Sequence, residues 1–331
     1  MIADEIEKLI AELNGSDARV RFEAAYLLGR TGNKRAVKPL LNALHDSQYS
    51  VCHSAAIALG RIKDARSIQP LMEALQNHKP DVRKCAAIAL EMMGDQRAVE
   101  PLITLLNDSE PSVRRSAIQA LGQLRDSRAV EPLLAMMQNQ NIDRNELKTI
   151  IHALGEIGDA RAVEPILQKL DQYPNGADAL AYIGDSSAVL PLIAALLSSD
   201  GYVRDAAAYA LGILGDVRAL PELKRLARED TFVDWFFDNE INVAGAAGAA
   251  IEIIRMAQRP LEEIISIVNE SHIAVDVWRA IVALGAVGDT KALLILERLA
   301  SSYPDEKRSE AYWVRHAMNR IRRRCKNELN L

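Results

Sequence analysis

Four prolines, Pro39, Pro70, Pro101 and Pro132, stand 31 residues apart. Two further markers keep the same interval: Val20, Val51, Val82 and Val113 form one series, and Leu28-Gly29, Leu59-Gly60, Leu90-Glu91 and Leu121-Gly122 the other. Three markers locked together over four copies define an internal repeat, written VRxxAAxALGxxGDxRAVxPLLxxLxD. A unit of this length cannot bury its apolar face alone and must stack on its neighbours. Stacking overrides the two or three ordinary globular domains that 331 residues would otherwise suggest.

Each unit predicts two helices. In Ala98-Val99-Glu100-Pro101-Leu102-Ile103, proline is tolerable only in the first helical turn, where backbone N–H groups lack an intrahelical partner. The aspartate just upstream (Asp95, Asp126, Asp159, Asp185, Asp216 or Asp289) is placed to cap that start. In the second helix Val113, Ala117, Ala120 and Leu121 recur at the spacing of one helical face. Its alanines allow neighbouring helices to approach closely, and the glycine of each Leu-Gly pair reads as a C-terminal cap or tight turn.

The pattern continues for about ten pairs and predicts an all-α fold, an α-α superhelix on the order of 100 Å along its contour with helices roughly 8–10 Å apart. The expected organisation is a single solenoid over 1–331. An N-terminal repeat or cap covers 1–30, and regular repeats cover 31–227 with a shortened unit near 171–185. An aromatic insertion and degenerate repeat cover 228–258, a further repeat 259–300, and a basic C-terminal capping helix 301–331.

Composition removes several functional classes. The net charge of −5 supplies no positive field for nucleic acid. No run of about 18 apolar residues exists, so no membrane span is expected, and the acidic N-terminus lacks the pattern of a signal peptide. Three cysteines without CxxC spacing predict neither a disulfide framework nor a zinc site and suit a cytoplasmic protein. No nucleophile elbow or phosphate-binding glycine loop occurs, and the stretch from Gly245 to Ala250 reads as close helix packing. No cofactor is expected.

The repeat motif resembles the HEAT-like repeats named for phycobilisome lyases, over nearly the whole chain. That resemblance implies that the second helix of each pair lines a concave surface. It also implies three kinds of function: bilin lyases, metal-dependent hydroxylases and adaptors. Residues lying six, five or two positions before the Leu of each Leu-Gly pair would then face inward. They include Phe22, Tyr26, His53, Lys84, Arg115, His152, Tyr209 and Trp278. Deoxyhypusine hydroxylase, of the same repeat family, carries His-Glu pairs at such positions as iron ligands. This chain has Glu23 without His, His53 without Glu, and no His-Glu dipeptide, so the hydroxylase reading is disfavoured.

Two other features are candidates. The insertion Phe232-Val233-Asp234-Trp235-Phe236-Phe237 holds three of the four phenylalanines and one of the three tryptophans. It reads either as a plug between irregular repeats or as an aromatic anchor for a partner. The tail residues Arg315, Arg320, Arg322, Arg323, Arg324 and Lys326 read as a solvated cap or as a docking site for an acidic partner. Cys52 and Cys85, on adjacent second helices, read as buried small residues or as a redox pair. The main functional expectation is a non-enzymatic, protein-binding scaffold working through its concave face. The alternative is a bilin lyase or bilin chaperone, with Tyr26, Lys84, Arg115 and Tyr209 supplying aromatic walls and cations for the propionates.

Overall fold

The computed structural model describes residues 2–139, 142–170, 172–236, 239–271, 274–302 and 308–329. Among them, twenty α-helices follow one another and pair consecutively into ten units, with one short two-stranded hairpin. The chain divides into two compact units, Met1–Ile157 and Gly158–Leu331.

The fourth pair shows how the motif folds. Asp95, in extended conformation, accepts a hydrogen bond from the Arg97 N–H at 2.9 Å and nucleates a 3₁₀ turn, Gln96–Ala98. The helix Val99–Thr104 follows, with Pro101 as its third residue, so no intrahelical donor is lost. Asp64, Asp126, Asp159, Asp185 and Asp216 act in the same way on the N–H two residues ahead. The longer second helix, Pro111–Leu124, starts on a proline and buries Val113, Ala117, Ala120 and Leu121 completely. Burying a leucine contributes about 1.5–3 kcal/mol, and Leu28, Leu59, Leu90 and Leu121 occupy the same buried site in successive units.

The Leu-Gly glycines differ from their sequence reading. They lie inside the helix, and helices end instead on left-handed residues such as Gly32, Gly94 and Lys63. A Cβ on Gly122 would stand 2.8 Å from Ala153 Cα, and one on Gly29 2.7 Å from Ala58 Cα. These glycines therefore set the spacing between consecutive second helices.

An arginine clamp explains the Val-Arg motif. Arg83 pairs with both carboxylate oxygens of Asp108 in the next turn, at 2.6 and 2.7 Å, while its Nη1 donates to the Asn77 and His78 carbonyls. Arg21 with Asp46 and Arg204 with Asp230 repeat this geometry. In the second pair both charges are missing together: Cys52 replaces the arginine and Asn77 the aspartate. Asn77 still accepts from the Lys79 N–H and holds the turn. Losing both ions avoids leaving one partly buried charge without a counter-ion.

In the second unit the sixth pair is shortened, its second helix running only from Gly176 to Ile183. The insertion forms an antiparallel hairpin, Val233–Phe236 against Asn239–Asn242, with Val233 opposite Asn242. The last helix, Arg308–Leu329, packs on Ala274–Val287 and also reaches further back in the same unit. There Arg320 Nη1 donates to the Ile213 carbonyl, and the His316 ring lies 4.1 Å from that of Tyr182.

Candidate functional site

In the first unit the second helices Ala18–Thr31, Tyr49–Ile62 and Pro80–Met93 lie side by side and present one continuous face. Phe22 and Tyr26 stand exposed on the first of them, and the Arg61 guanidinium lies 5.5 Å above the Tyr26 ring. On the next helix Tyr49 and His53, one turn apart, stack with centroids 5.6 Å apart and planes within 22°. The Lys84 ammonium sits 4.6 Å over the Tyr49 ring. Cation–π contacts of this kind contribute about 0.5–1 kcal/mol at exposed sites.

Tyr26 with Arg61, and His53 and Lys84 with Tyr49, thus form two ring–cation groups on these helices. Tyr49 and Arg61, which complete them, were not singled out from the register. Tyr49 is detectable as the residue four before His53.

His53 Nδ1 is buried and has no hydrogen-bond partner. Burial first, and the neighbouring Lys84 second, lower the His53 pKa below the ordinary imidazole value, so the ring is neutral near pH 7. Half-buried Ile57 and Ile88 add apolar surface on the same two helices. Arg115 Nη1 lies 3.9 Å from Asp143, and His152 is exposed on the helix Arg144–Ile157. Cys52 and Cys85 are buried. A hydrogen bond with Cys52 and burial push the Cys85 thiol well up, which disfavours the reactive thiolate.

The second unit gathers a different set. Tyr209 and Trp278 each meet Trp313 edge-on at 6.0 Å, and Trp313 in turn lies 6.2 Å from His316. Asp178 and Asp205 stand one turn before Tyr182 and Tyr209 on their helices. Burial raises both pKa values, that of Asp178 to about 6 with Asp205 adding repulsion. Burial and Asp178 likewise raise the Tyr209 hydroxyl.

The register that selects Tyr26 and Tyr209 also selects Asp178, two residues before Leu180 in the shortened repeat. Trp313 and His316 lie on the terminal helix, outside the repeat register.

In the insertion, Phe232 covers Gly201, where a Cβ would fall 2.3 Å from the ring. The Tyr202 ring meets Phe232 edge-on at 5.5 Å, and the Arg204 guanidinium lies 5.8 Å from its centroid. Phe232 therefore packs against the seventh pair. Trp235 and Phe236 lie on the first strand; their side chains, and Phe237 altogether, lie outside the described residues. Among the described residues no group of three or more His, Cys, Asp or Glu is arranged to hold a metal ion. No helix among them is long and apolar enough to cross a membrane.

Comparison with known proteins adds to this geometry. Phycocyanobilin lyase subunit alpha from Picosynechococcus sp. is 32% identical over 123 residues, 37% of this chain and 35% of that protein. The match thus spans about a third of the relative's length. A chain from the structure of Kap95p with RanGDP superimposes with a TM-score of 0.51 at 12% identity, over 96% of this chain and 51% of that one. A chain of the CpcE–CpcF complex of phycocyanin lyase from Nostoc sp. PCC7120 gives a TM-score of 0.36 at 21% identity, over 96% and 94%. The model of HEAT repeats matches residues 6–91, 70–147, 99–176 and 175–234, well over half of the sequence. With consecutive helical pairs among the described residues of both units and that match, the chain belongs to the HEAT-repeat family.

Proposed function

We propose that this protein binds a linear tetrapyrrole on the inner face of its first unit and acts as a lyase-type subunit or chaperone for that bilin. The observation that carries the reading is the pair of ring–cation groups, Tyr26 with Arg61 and Tyr49 with His53 and Lys84, on neighbouring second helices. A bilin is a flat conjugated chain bearing two propionates. Stacked rings complement its pyrroles, and Arg61 and Lys84 complement its carboxylates. The 32% identity to a phycocyanobilin lyase subunit supports the same ligand class. In this reading the chain contributes binding and orientation, and a second protein receives the bilin.

Titration with phycocyanobilin tests the proposal. A saturable shift of the visible absorption band is expected for the parent protein. Lys84→Ala and Tyr49→Leu should each weaken binding by about tenfold, the loss of one or two stabilising contacts. No spectral change, or equal binding by both variants, would exclude this face as a bilin site.

A protein-binding scaffold is the second reading. Val20, Phe22, Tyr26 and Leu27 are all exposed on the helix Ala18–Thr31, and aromatic residues of this kind anchor interfaces. Loss of a purified partner upon Phe22→Ala, with bilin binding intact, would favour it.

A further inference from the structure

The solvent side of the first helices changes character at the seventh pair. Outward positions on one helical face recur along the repeat. The third pair fills two of them with Gln69 and Gln76, and the fourth with Glu100 and Asn107. In the seventh pair the same two hold Leu190 and Leu197, 60% and 66% exposed, with exposed Ala194 between them on the same face. The result is an apolar ridge about 10 Å long on the helix Val189–Ala195 and the turn that follows it.

The eighth pair extends and flanks this ridge. Val217, 46% exposed, lies in the turn Val217–Ala219, which packs on the helix Val189–Ala195. At the corresponding boundary between the fourth and fifth pairs, Arg128 reaches Glu100 at 3.3 Å. Leu190 stands where Glu100 does, and Arg218 pairs instead within its own turn, with Asp216. Further along, on the helix Leu220–Glu229, Lys224 and Arg228 are exposed, and the Arg228 Nε donates to the Lys224 carbonyl. Among the described residues neither cation has a carboxylate partner.

Apolar surface bordered by uncompensated positive charge specifies what would cover it. An amphipathic helix supplies apolar side chains along a ridge of this length, and acidic residues on its flank meet Lys224 and Arg228. The chain's own acidic helix, Ile2–Glu12, does not fit, because its apolar Ile6 and Leu9 are already buried. An anionic bilayer fits less well, since the net charge is −5 and exposed Glu164 occupies the position of Leu190 on the preceding first helix. From this juxtaposition of the Leu190–Leu197 ridge and Val217 with Lys224 and Arg228, we propose that the solvent side of the seventh and eighth pairs docks an acidic amphipathic helix of a partner polypeptide. The proposal does not depend on bilin binding, which is placed on the first unit.

Titration of the full-length protein into a fluorescein-labelled model peptide, read by anisotropy, tests the docking surface. The peptide has about 18 residues, with leucines along one helical stripe and glutamates on the remaining face. Saturable binding is expected, weakening as salt screens the two cations. Leu190→Gln/Leu197→Gln installs the side chains that the third pair carries at these positions. That variant should keep its thermal midpoint and lose about tenfold or more in affinity. Lys224→Gln/Arg228→Gln should bind more weakly than the parent and with a flatter salt dependence. A peptide with lysines in place of the glutamates should bind about tenfold more weakly still than the acidic one binds the parent. No binding of the acidic peptide, equal binding by the leucine variant, or preference for the lysine peptide would overturn the assignment. So would a leucine variant that loses only self-association in the ultracentrifuge, or only sedimentation with phosphatidylserine vesicles.

Discussion

Replacing Gly122 by alanine probes the repeat at one of its close helix approaches. The new Cβ would lie 2.8 Å from Ala153 Cα and 2.9 Å from Ala153 Cβ. Carbon atoms at optimal contact stand about 3.5–4.0 Å apart, so the overlap is roughly 0.7–1 Å. It falls partly on backbone, which has no rotamer to escape into, and the helices Pro111–Leu124 and Arg144–Ile157 must separate. Overpacking of this kind costs about 1–3 kcal/mol, while the better helix propensity of alanine returns about 1 kcal/mol. A net loss of up to about 2 kcal/mol is expected. Gly248, inside the helix Val243–Ala257, is the control: its added Cβ would meet nothing within 4 Å. Gly248→Ala should therefore stabilise by about 0.5–1 kcal/mol. Urea denaturation followed by far-ultraviolet circular dichroism would measure both variants against the parent. If Gly122→Ala matched or exceeded the parent in stability, close helix approach would not be the reason for glycine at that position.

Further tests address the charges. Asp108→Ala leaves the largely buried Arg83 without its counter-ion and should cost roughly 2–4 kcal/mol, and Arg83→Ala/Asp108→Ala should recover part of that loss in a double-mutant cycle. Hydrogen bonds from arginine hold Asp46, Asp108 and Asp230 below the usual carboxylate range. Their contribution is complete above the unfolded-state pKa and disappears as pH falls through the lowered folded values, so acid should weaken the parent more than the double variant. Asp178 behaves oppositely. Its pKa is raised from 3.8 to about 6, so folding binds an extra proton between those values, and stability falls as pH rises through them. Asp178→Asn should therefore stabilise at pH 7–8 by on the order of 2–3 kcal/mol and make little difference near pH 3, as thermal melts across pH would show.

What could be anticipated from the residues divides along a physical line. The helical pairs, the first-turn prolines and the aspartate caps depend on contacts within a few residues, and the repeat states them many times over. The inward register also placed Tyr26, His53, Lys84 and Tyr209 on second helices correctly. The function of the Leu-Gly glycines was misread because a helix-terminal glycine and an interhelical glycine look alike without the neighbour that crowds them. Tyr49 escaped because it stands at a helix start rather than at a register position. The meeting of His316 with Tyr182 joins residues far apart in the chain, and no local pattern announces it. The hairpin is likewise absent from the repeat and replaces a stretch where the period fails.

The return of the last helix changes how the second unit should come apart. A row of units joined only to their neighbours can fray from its ends, one layer at a time. Here Arg320 is tied to Ile213 across 107 residues of chain. That tether makes the terminal layer a partner of the seventh pair, so peeling the end also opens the middle. The second unit should consequently unfold as one block, with hydrogen-exchange protection at its final helix close to that of the helix Gly201–Leu214. Closing so long a loop is also slow, so this block should be the later of the two to form.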